Sequence, residues 1–121
     1  MKVLVVEDNP DQLAVRTMLI ESSGFEVLGA VDRKSAMESA GLGRPVCAVV
    51  DLRLPKESDG LQLIRELKHG DPAIRLIVLT GADPARFKRR PEAELVEVVM
   101  RKPASSGELI QRLKEFAALP G

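Results

Sequence analysis

Acidic, hydroxyl and amino side chains follow four short apolar runs of the chain. Glu7 and Asp8 follow the first run, Asp51 ends another, and Thr80 and Lys102 follow two more. Carboxylates that lie close together repel one another and favour a hard cation such as Mg²⁺, which takes oxygen ligands. A lysine offers a compact positive charge to a phosphoryl oxygen, and a threonine hydroxyl donates a hydrogen bond to another. A carboxylate in such a site can act as a nucleophile and form an aspartyl-phosphate.

Each of these residues has an ordinary structural explanation when it is taken alone. Asp8 and Asp51 could each cap a following helix, since aspartate is a preferred N-cap residue. Thr80 precedes Gly81 and is typical of a turn, and Lys102 precedes a proline and would ordinarily be solvated. Their joint arrival at four predicted strand ends is harder to explain by capping, so we interpret them as one site.

The elements that must position these residues alternate along the chain. Short apolar runs alternate with longer amphipathic stretches, which predicts βα units around a parallel sheet. The predicted strands are residues 3–6, 25–30, 46–50, 74–79 and 95–100. The predicted helices run from Asn9-Pro10 to about residue 23, from Asp32 to 40, from Asp59 to 68, from Pro84 to a break at Pro91, and from Ser105 or Ser106 onwards. In doubly wound sheets ligands lie beyond the carboxyl ends of the strands, so the five residues should meet at one edge.

Composition limits the classes of function. The 121 residues predict a single domain, and Lys plus Arg (18) balance Asp plus Glu (18), so the chain has no general attraction for nucleic acid or acidic membranes. One cysteine, Cys47, excludes an internal disulfide. The first apolar run is too short for a signal peptide or a membrane span. We therefore expect a soluble, cytoplasmic domain without a membrane partner.

A family resemblance rests on these motifs in their order and spacing. The series Glu7-Asp8, Asp51-Leu-Arg-Leu-Pro55, Asp59-Gly60, Thr80 and Lys102-Pro103 resembles the receiver domains of response regulators over essentially the whole chain. The resemblance implies one receiver domain over residues 1–121. It also implies a flavodoxin-like, doubly wound α/β fold of the (βα)5 type, with five parallel strands in the order 2-1-3-4-5.

The resemblance also implies a role for each site residue. Asp51 would be the phosphoacceptor, and Thr80 and Lys102 would hold the phosphoryl oxygens. Mg²⁺ would be bound by Asp8, by Asp51 and by the backbone carbonyl of Arg53, with Glu7 contributing through water. The Lys102–Pro103 peptide bond would be cis, a state that proline makes accessible.

Three positions depart from the family pattern or tune its chemistry. Val99 occupies a position that usually carries an aromatic residue, so the usual coupling between threonine and that aromatic is absent or replaced; the plainer interpretation is a simple strand residue. Arg53 and Ala82 lie two positions after the acceptor and two after the threonine, where side chains tune dephosphorylation. Arg53 could shield the acyl phosphate or simply point to solvent, and the direction of any change in rate stays open.

Partner surfaces are also implied by the resemblance. A histidine kinase or phosphotransfer protein would dock near the first helix and the loop after the fifth strand, which points to Gln12, Val15, Pro103 and Ala104. The basic run Lys88-Arg89-Arg90 is either a solvated face or a docking patch for an acidic output partner. Direct nucleic-acid binding is not expected, because no reading helix is evident.

Two other classes compete with a phosphoacceptor domain. One is a true enzyme, such as a flavodoxin-like phosphatase or an aspartyl-phosphate hydrolase. Such hydrolases typically carry a second aspartate two residues after the nucleophile, where this chain has Arg53. The other is a phosphate-independent pseudo-receiver that only binds proteins. The complete set of acidic, threonine and lysine residues argues against it, and we predict self-catalysed chemistry at Asp51 only.

Overall fold

The computed structural model describes residues 1–102 and 106–119. Strands and helices alternate along the chain, and a short 3₁₀ segment, Pro91–Leu95, precedes the last strand. The strands are β1 (Lys2–Val6), β2 (Glu26–Ala30), β3 (Cys47–Asp51), β4 (Arg75–Thr80) and β5 (Val98–Arg101). The helices are α1 (Pro10–Ser22), α2 (Arg33–Gly43), α3 (Glu57–Gly70), α4 (Pro84–Lys88) and α5 (Ser106–Ala118).

All neighbouring strands pair in parallel, in the order β2-β1-β3-β4-β5. The predicted doubly wound fold and strand order are therefore confirmed. Reversal of the strand order beside β1 leaves β1 and β3 adjacent, with Val6 opposite Val50. This pairing sets the carboxyl ends of the two central strands side by side, as the site requires.

Each central strand is buried on both faces, which explains its unbroken apolar sequence. Successive side chains of a strand point to opposite faces. Leu4 and Val6 therefore pack in the core layer beneath α2 and α3, while Val3 and Val5 pack with residues of α1 and α5. Leu61, Leu63, Ile64 and Leu67 form the predicted apolar side of α3, and Leu109, Leu113 and Phe116 form that of α5.

Helix boundaries differ from the prediction at both ends of α3, which runs to Gly70, and at the end of α2. Asp59 was expected to begin α3, but the helix begins at Glu57 and Lys56 is its N-cap residue. Asp59 is the third residue of the helix, and its side chain accepts a hydrogen bond from the Lys56 N–H at 3.2 Å. Acidic side chains are favourable at both the N-cap and the N3 positions, so the residue type alone did not distinguish them.

The helix α2 runs three residues beyond the predicted end at Ala40. Arg44, rather than a glycine, takes the left-handed conformation (φ 50°) at its end, and its N–H donates to the Ala40 carbonyl at 3.1 Å. Gly43 remains helical and lies against β2, since a Cβ there would be 2.3 Å from the Leu28 Cδ1 atom. Gly43 thus packs against the Leu28 side chain and does not terminate the helix.

The region around Pro91 follows the prediction of a broken fourth helix. The helix α4 contains five residues and is anchored by the buried Phe87. The chain resumes as the 3₁₀ segment at Pro91, where the missing N–H of proline costs nothing. Leu95 belongs to this segment, so β5 begins three residues later than predicted. The predicted capping of α5 by Ser105 or Ser106 lies outside the described residues and side chains.

Candidate functional site

Three carboxylates meet at the carboxyl edge of the sheet. Glu7 and Asp8 follow β1, and Asp51 is the last residue of β3. One carboxylate oxygen from each residue lies within 4.8 Å of the others. Glu7 (1% exposed) and Asp51 (4%) are buried, whereas Asp8 is exposed to solvent. We call Glu7, Asp8 and Asp51 the acidic cluster; its oxygen donors and its open side suit a hard cation.

Lys102 supplies positive charge to the cluster. It follows β5, its side chain is 29% exposed, and its Nζ atom donates a hydrogen bond to Asp51 Oδ2. The same Nζ atom lies 3.8 Å from Glu7 Oε2. The backbone N–H of Lys102 donates to the Thr80 carbonyl at 2.7 Å, which ties the ends of β4 and β5 together. Lys102 is therefore positioned by its backbone as well as by its charge.

Thr80 ends β4 and is 4% exposed. Its hydroxyl oxygen accepts a hydrogen bond from the backbone N–H of Ala82 at 3.1 Å. That contact leaves the hydroxyl hydrogen available for another acceptor. The main chain of Ala82, a predicted tuning position, thus orients Thr80.

The pKa values of Glu7 and Asp51 shift in opposite directions. Burial, together with the hydrogen bond and negative charge of Asp51, raises the pKa of Glu7 to about 7, against the opposing charges of Lys102 and Arg16. Burial also acts to raise the pKa of Asp51, but hydrogen bonds from Glu7 and Lys102 and the Lys102 charge outweigh it. The pKa of Asp51 therefore lies below its ordinary value, which keeps it ionised as a nucleophile requires.

The loop after Asp51 is held by its main chain. Asp51 Oδ1 accepts a hydrogen bond from the Arg53 N–H at 3.1 Å, and the Leu52 N–H donates to the Leu79 carbonyl at 2.9 Å. Arg53 is exposed, and the Leu54–Pro55 peptide bond is cis. Gly60 lies directly beneath this loop, since a Cβ there would be 1.9 Å from the Leu52 carbonyl oxygen. The glycine of the Asp59-Gly60 motif thus has a steric reason.

Arg16 joins the site without having been predicted from the sequence. Its Nη1 atom lies 3.4 Å from Glu7 Oε2, and its side chain is only 18% exposed. Arg16 occupies a helical face of α1 that also carries Leu13 and the buried Ile20. The signal available in the sequence was the spacing of Arg16, three residues after Leu13 and four before Ile20, which puts it on the same helical face.

The remaining predicted residues are distributed around this site. Gln12 and Val15 are exposed on α1, and Val15 is 58% exposed. Val99 is partly buried and packs with the core on the α2–α3 face. Pro103 and Ala104, and with them the predicted cis Lys102–Pro103 bond, lie outside the described residues.

The basic run at the end of α4, residues 88–90, is partly neutralised within the chain. Arg90 forms an ion pair with Glu57 at the start of α3, with a distance of 2.7 Å from Nη2 to Oε1. Lys88 and Arg89 are exposed. A docking patch here would therefore depend on Lys88 and Arg89 more than on Arg90.

Comparisons with known proteins agree with the fold. The response regulator receiver domain family matches residues 3–114. A receiver domain protein from Clostridium thermocellum superposes with a TM-score of 0.85 at 25% identity, covering 95% of this chain and 92% of that one. The fold and the family match define a receiver domain of two-component signalling. The chain belongs to the response regulator receiver domain family.

Two curated relatives place this domain within longer proteins. The virulence factors transcription regulator BvgA of Bordetella pertussis is 39% identical over 93 residues, which cover 74% of this chain and 43% of that protein. The alkaline phosphatase synthesis regulatory protein PhoP of Bacillus subtilis is 31% identical over 114 residues, covering 93% of this chain and 47% of that protein. The chain therefore spans less than half the length of these transcriptional regulators. Within residues 1–102 and 106–119, no helix is long and apolar enough to cross a membrane.

Proposed function

We propose that residues 1–121 form one receiver domain that accepts a phosphoryl group on Asp51 and thereby controls a protein partner or a fused output domain. The observation that carries this proposal is the environment of Asp51. Asp51 is a buried carboxylate with a lowered pKa. It accepts a hydrogen bond from Lys102 and lies close to two further carboxylates. A purely structural aspartate would not need an acidic cluster around it, because like charges raise its free energy.

In the proposed reaction an Asp51 oxygen attacks the phosphorus of a phosphohistidine. The new O–P bond forms as the P–N bond breaks, and the released imidazole nitrogen takes up a proton. The Lys102 ammonium and the Thr80 hydroxyl are the groups we assign to the phosphoryl oxygens. Both lie beside Asp51 at adjoining strand ends, and both are oriented by main-chain hydrogen bonds. The domain thus supplies positioning and charge rather than turnover of an outside substrate.

The acidic cluster fits Mg²⁺, which receiver domains bind at an acidic pocket. We assign direct ligation to Asp8, Asp51 and the Arg53 backbone carbonyl, and contact through water to Glu7. The exposure of Asp8 gives a cation access to otherwise buried carboxylates. When it is bound, Mg²⁺ neutralises negative charge on the carboxylates and on the transferred phosphoryl group.

A histidine kinase or phosphotransfer protein is the proposed phosphodonor. The exposed Gln12 and Val15 lie beside a groove between α1 and α5 that also reaches Lys102. An exposed apolar residue beside a groove suits the apolar face of a partner helix. Pro103 and Ala104, which lie outside the described residues, are the other contact residues that we propose. We place this exchange in the cytoplasm, where such donors act.

The residues that would pass the phosphorylation signal to a partner are where this chain departs most from the family pattern. Val99 is small and β-branched, with few side-chain rotamers, so the usual movement of an aromatic residue is replaced or absent. Arg53 is exposed, and an Arg53→Ala variant tests its role. A changed phosphoryl lifetime would support a tuning contact, and an unchanged lifetime would leave Arg53 as a solvated side chain.

The test uses acetyl phosphate and Mg²⁺ with intact-mass detection. Wild type should gain one phosphoryl group, and Asp51→Asn should gain none. The Asp71→Asn variant is a matched control, because Asp71 precedes β4 at the opposite edge of the sheet and should not affect the gain. No gain in wild type would favour the pseudo-receiver alternative. An equal gain in Asp51→Asn would instead put the phosphoryl group on another residue and contradict the assignment of Asp51.

A further inference from the structure

We propose that Arg16 is a positioning residue of the phosphoacceptor site, which holds Glu7 and so keeps Lys102 available to Asp51 and its phosphoryl group. This inference rests on the proposed function. The Arg16 Nη1 atom lies 3.4 Å from Glu7 Oε2, and Lys102 Nζ lies 3.8 Å from the same oxygen. One oxygen of a buried carboxylate is therefore shared by two cations.

Each cation pairs mainly with one carboxylate, Lys102 with Asp51 and Arg16 with Glu7. Lys102 is hydrogen bonded to Asp51, while its distance from Glu7 is too long for a hydrogen bond. Arg16 is the nearer cation to Glu7 Oε2. Without Arg16, an ionised Glu7 would have Lys102 as its one neighbouring cation among the described side chains and would draw it away from Asp51. Lys102 would then stabilise an incoming phosphoryl group less well.

Arg16 also limits the attraction of the site for divalent cations. The Arg16 guanidinium contributes a positive charge beside the acidic cluster. Its side chain is 18% exposed, which reduces solvent screening of that charge. Removing it leaves three carboxylates with Lys102 as their one remaining neighbouring cation among the side chains the structure describes. Mg²⁺ should therefore bind more tightly when the charge of Arg16 is lost.

Loss of Arg16 should therefore tighten Mg²⁺ binding but slow phosphorylation. A variant that merely damaged the structure would weaken both. In Arg16→Met, which keeps an unbranched apolar stem, we expect the Mg²⁺ dissociation constant measured by calorimetry to fall about tenfold, equivalent to about 1.4 kcal/mol. We expect the rate of phosphorylation by acetyl phosphate at saturating Mg²⁺ to fall several-fold. Arg16→Lys retains the charge and should restore the wild-type Mg²⁺ affinity.

The matched control is Arg112→Met, because Arg112 is exposed on α5 and pairs with Glu115 at 3.3 Å. Both quantities should keep their wild-type values in this variant. The inference is overturned if Arg16→Met changes neither quantity by more than twofold, or if it weakens Mg²⁺ binding and Arg16→Lys does not restore it. If even wild type takes up no phosphoryl group, the proposed function fails and the Mg²⁺ affinities alone decide the role of Arg16.

Discussion

Replacing Gly60 by alanine tests how α3 supports the loop after the acceptor. A Cβ at position 60 would lie 1.9 Å from the carbonyl oxygen of Leu52, 2.6 Å from its carbonyl carbon and 2.8 Å from its Cα. All three are backbone atoms, so no side chain can rotate away. Leu52 is also 4% exposed and bonded to β4 through its N–H, which fixes it from the other side. The helix and the loop must therefore separate.

The expected cost follows from two opposing contributions. Overpacking of a close-packed site costs typically about 1–3 kcal/mol, occasionally more. Alanine in place of glycine inside a helix raises the free energy of unfolding by up to about 1 kcal/mol. Because the clash is with rigid backbone, the cost should lie at the upper end. We expect Gly60→Ala to lower the free energy of unfolding by about 2 kcal/mol.

Urea denaturation of the two purified proteins measures this difference, since a single domain of this size usually unfolds in one step. Gly41→Ala is the matched control, because Gly41 lies within α2 and has no atom within 4 Å of its would-be Cβ. That variant should be neutral or more stable by up to about 1 kcal/mol. Equal stability of Gly60→Ala and wild type would refute the steric argument. Phosphorylation of Gly60→Ala should also slow, since Leu52 directly follows Asp51.

Three further predictions concern other parts of the chain. The pKa of Glu7 is raised from 4.5 to about 7, so the folded state holds its proton more tightly than the unfolded chain does. Without divalent cations, the contribution of Glu7 to the free energy of unfolding is complete below pH 4.5 and is lost as the pH rises through about 7. Glu7→Gln should flatten this dependence of the unfolding free energy on pH, measured by urea denaturation at several pH values. Cys47 is 0% exposed and burial raises its pKa to about 12, so a thiol reagent should label it only after denaturation, and rapid native labelling would contradict this burial. Asn9 accepts hydrogen bonds from the Asp11 and Gln12 N–H groups at 3.0 and 3.1 Å, so Asn9→Ala should cost about 1 kcal/mol by chemical denaturation.

The fold and the edge of the site could be predicted because both depend on local patterns. Strands buried on both faces require unbroken apolar runs, and the carboxyl ends of parallel strands meet at one edge. Knowing where the runs around Val5 and Val49 end was therefore enough to bring Glu7 and Asp51 together. The Pro91 break was equally local, because proline lacks the N–H that continues a helix.

The rest depended on tertiary contacts that no sequence pattern specifies, or on a local signal that fits more than one position. The ion pair of Arg16 with Glu7 requires the rotation of α1 on the sheet, which hydrophobic spacing defines only coarsely. The role of Gly60 depends on its approach to Leu52, eight positions earlier. The start of α3 was misplaced because an acidic side chain such as Asp59 is favourable at more than one position of a first turn.

Direct location of the phosphoryl group tests the central claim. Borohydride reduces an acyl phosphate to the corresponding alcohol, so treatment after incubation with acetyl phosphate and Mg²⁺ marks the acceptor for peptide mass spectrometry. We predict reduction at Asp51 in wild type, dependent on Mg²⁺, and none at Asp8 or Glu7. Reduction at another residue, or none at all, would contradict the assignment of Asp51 as the phosphoacceptor.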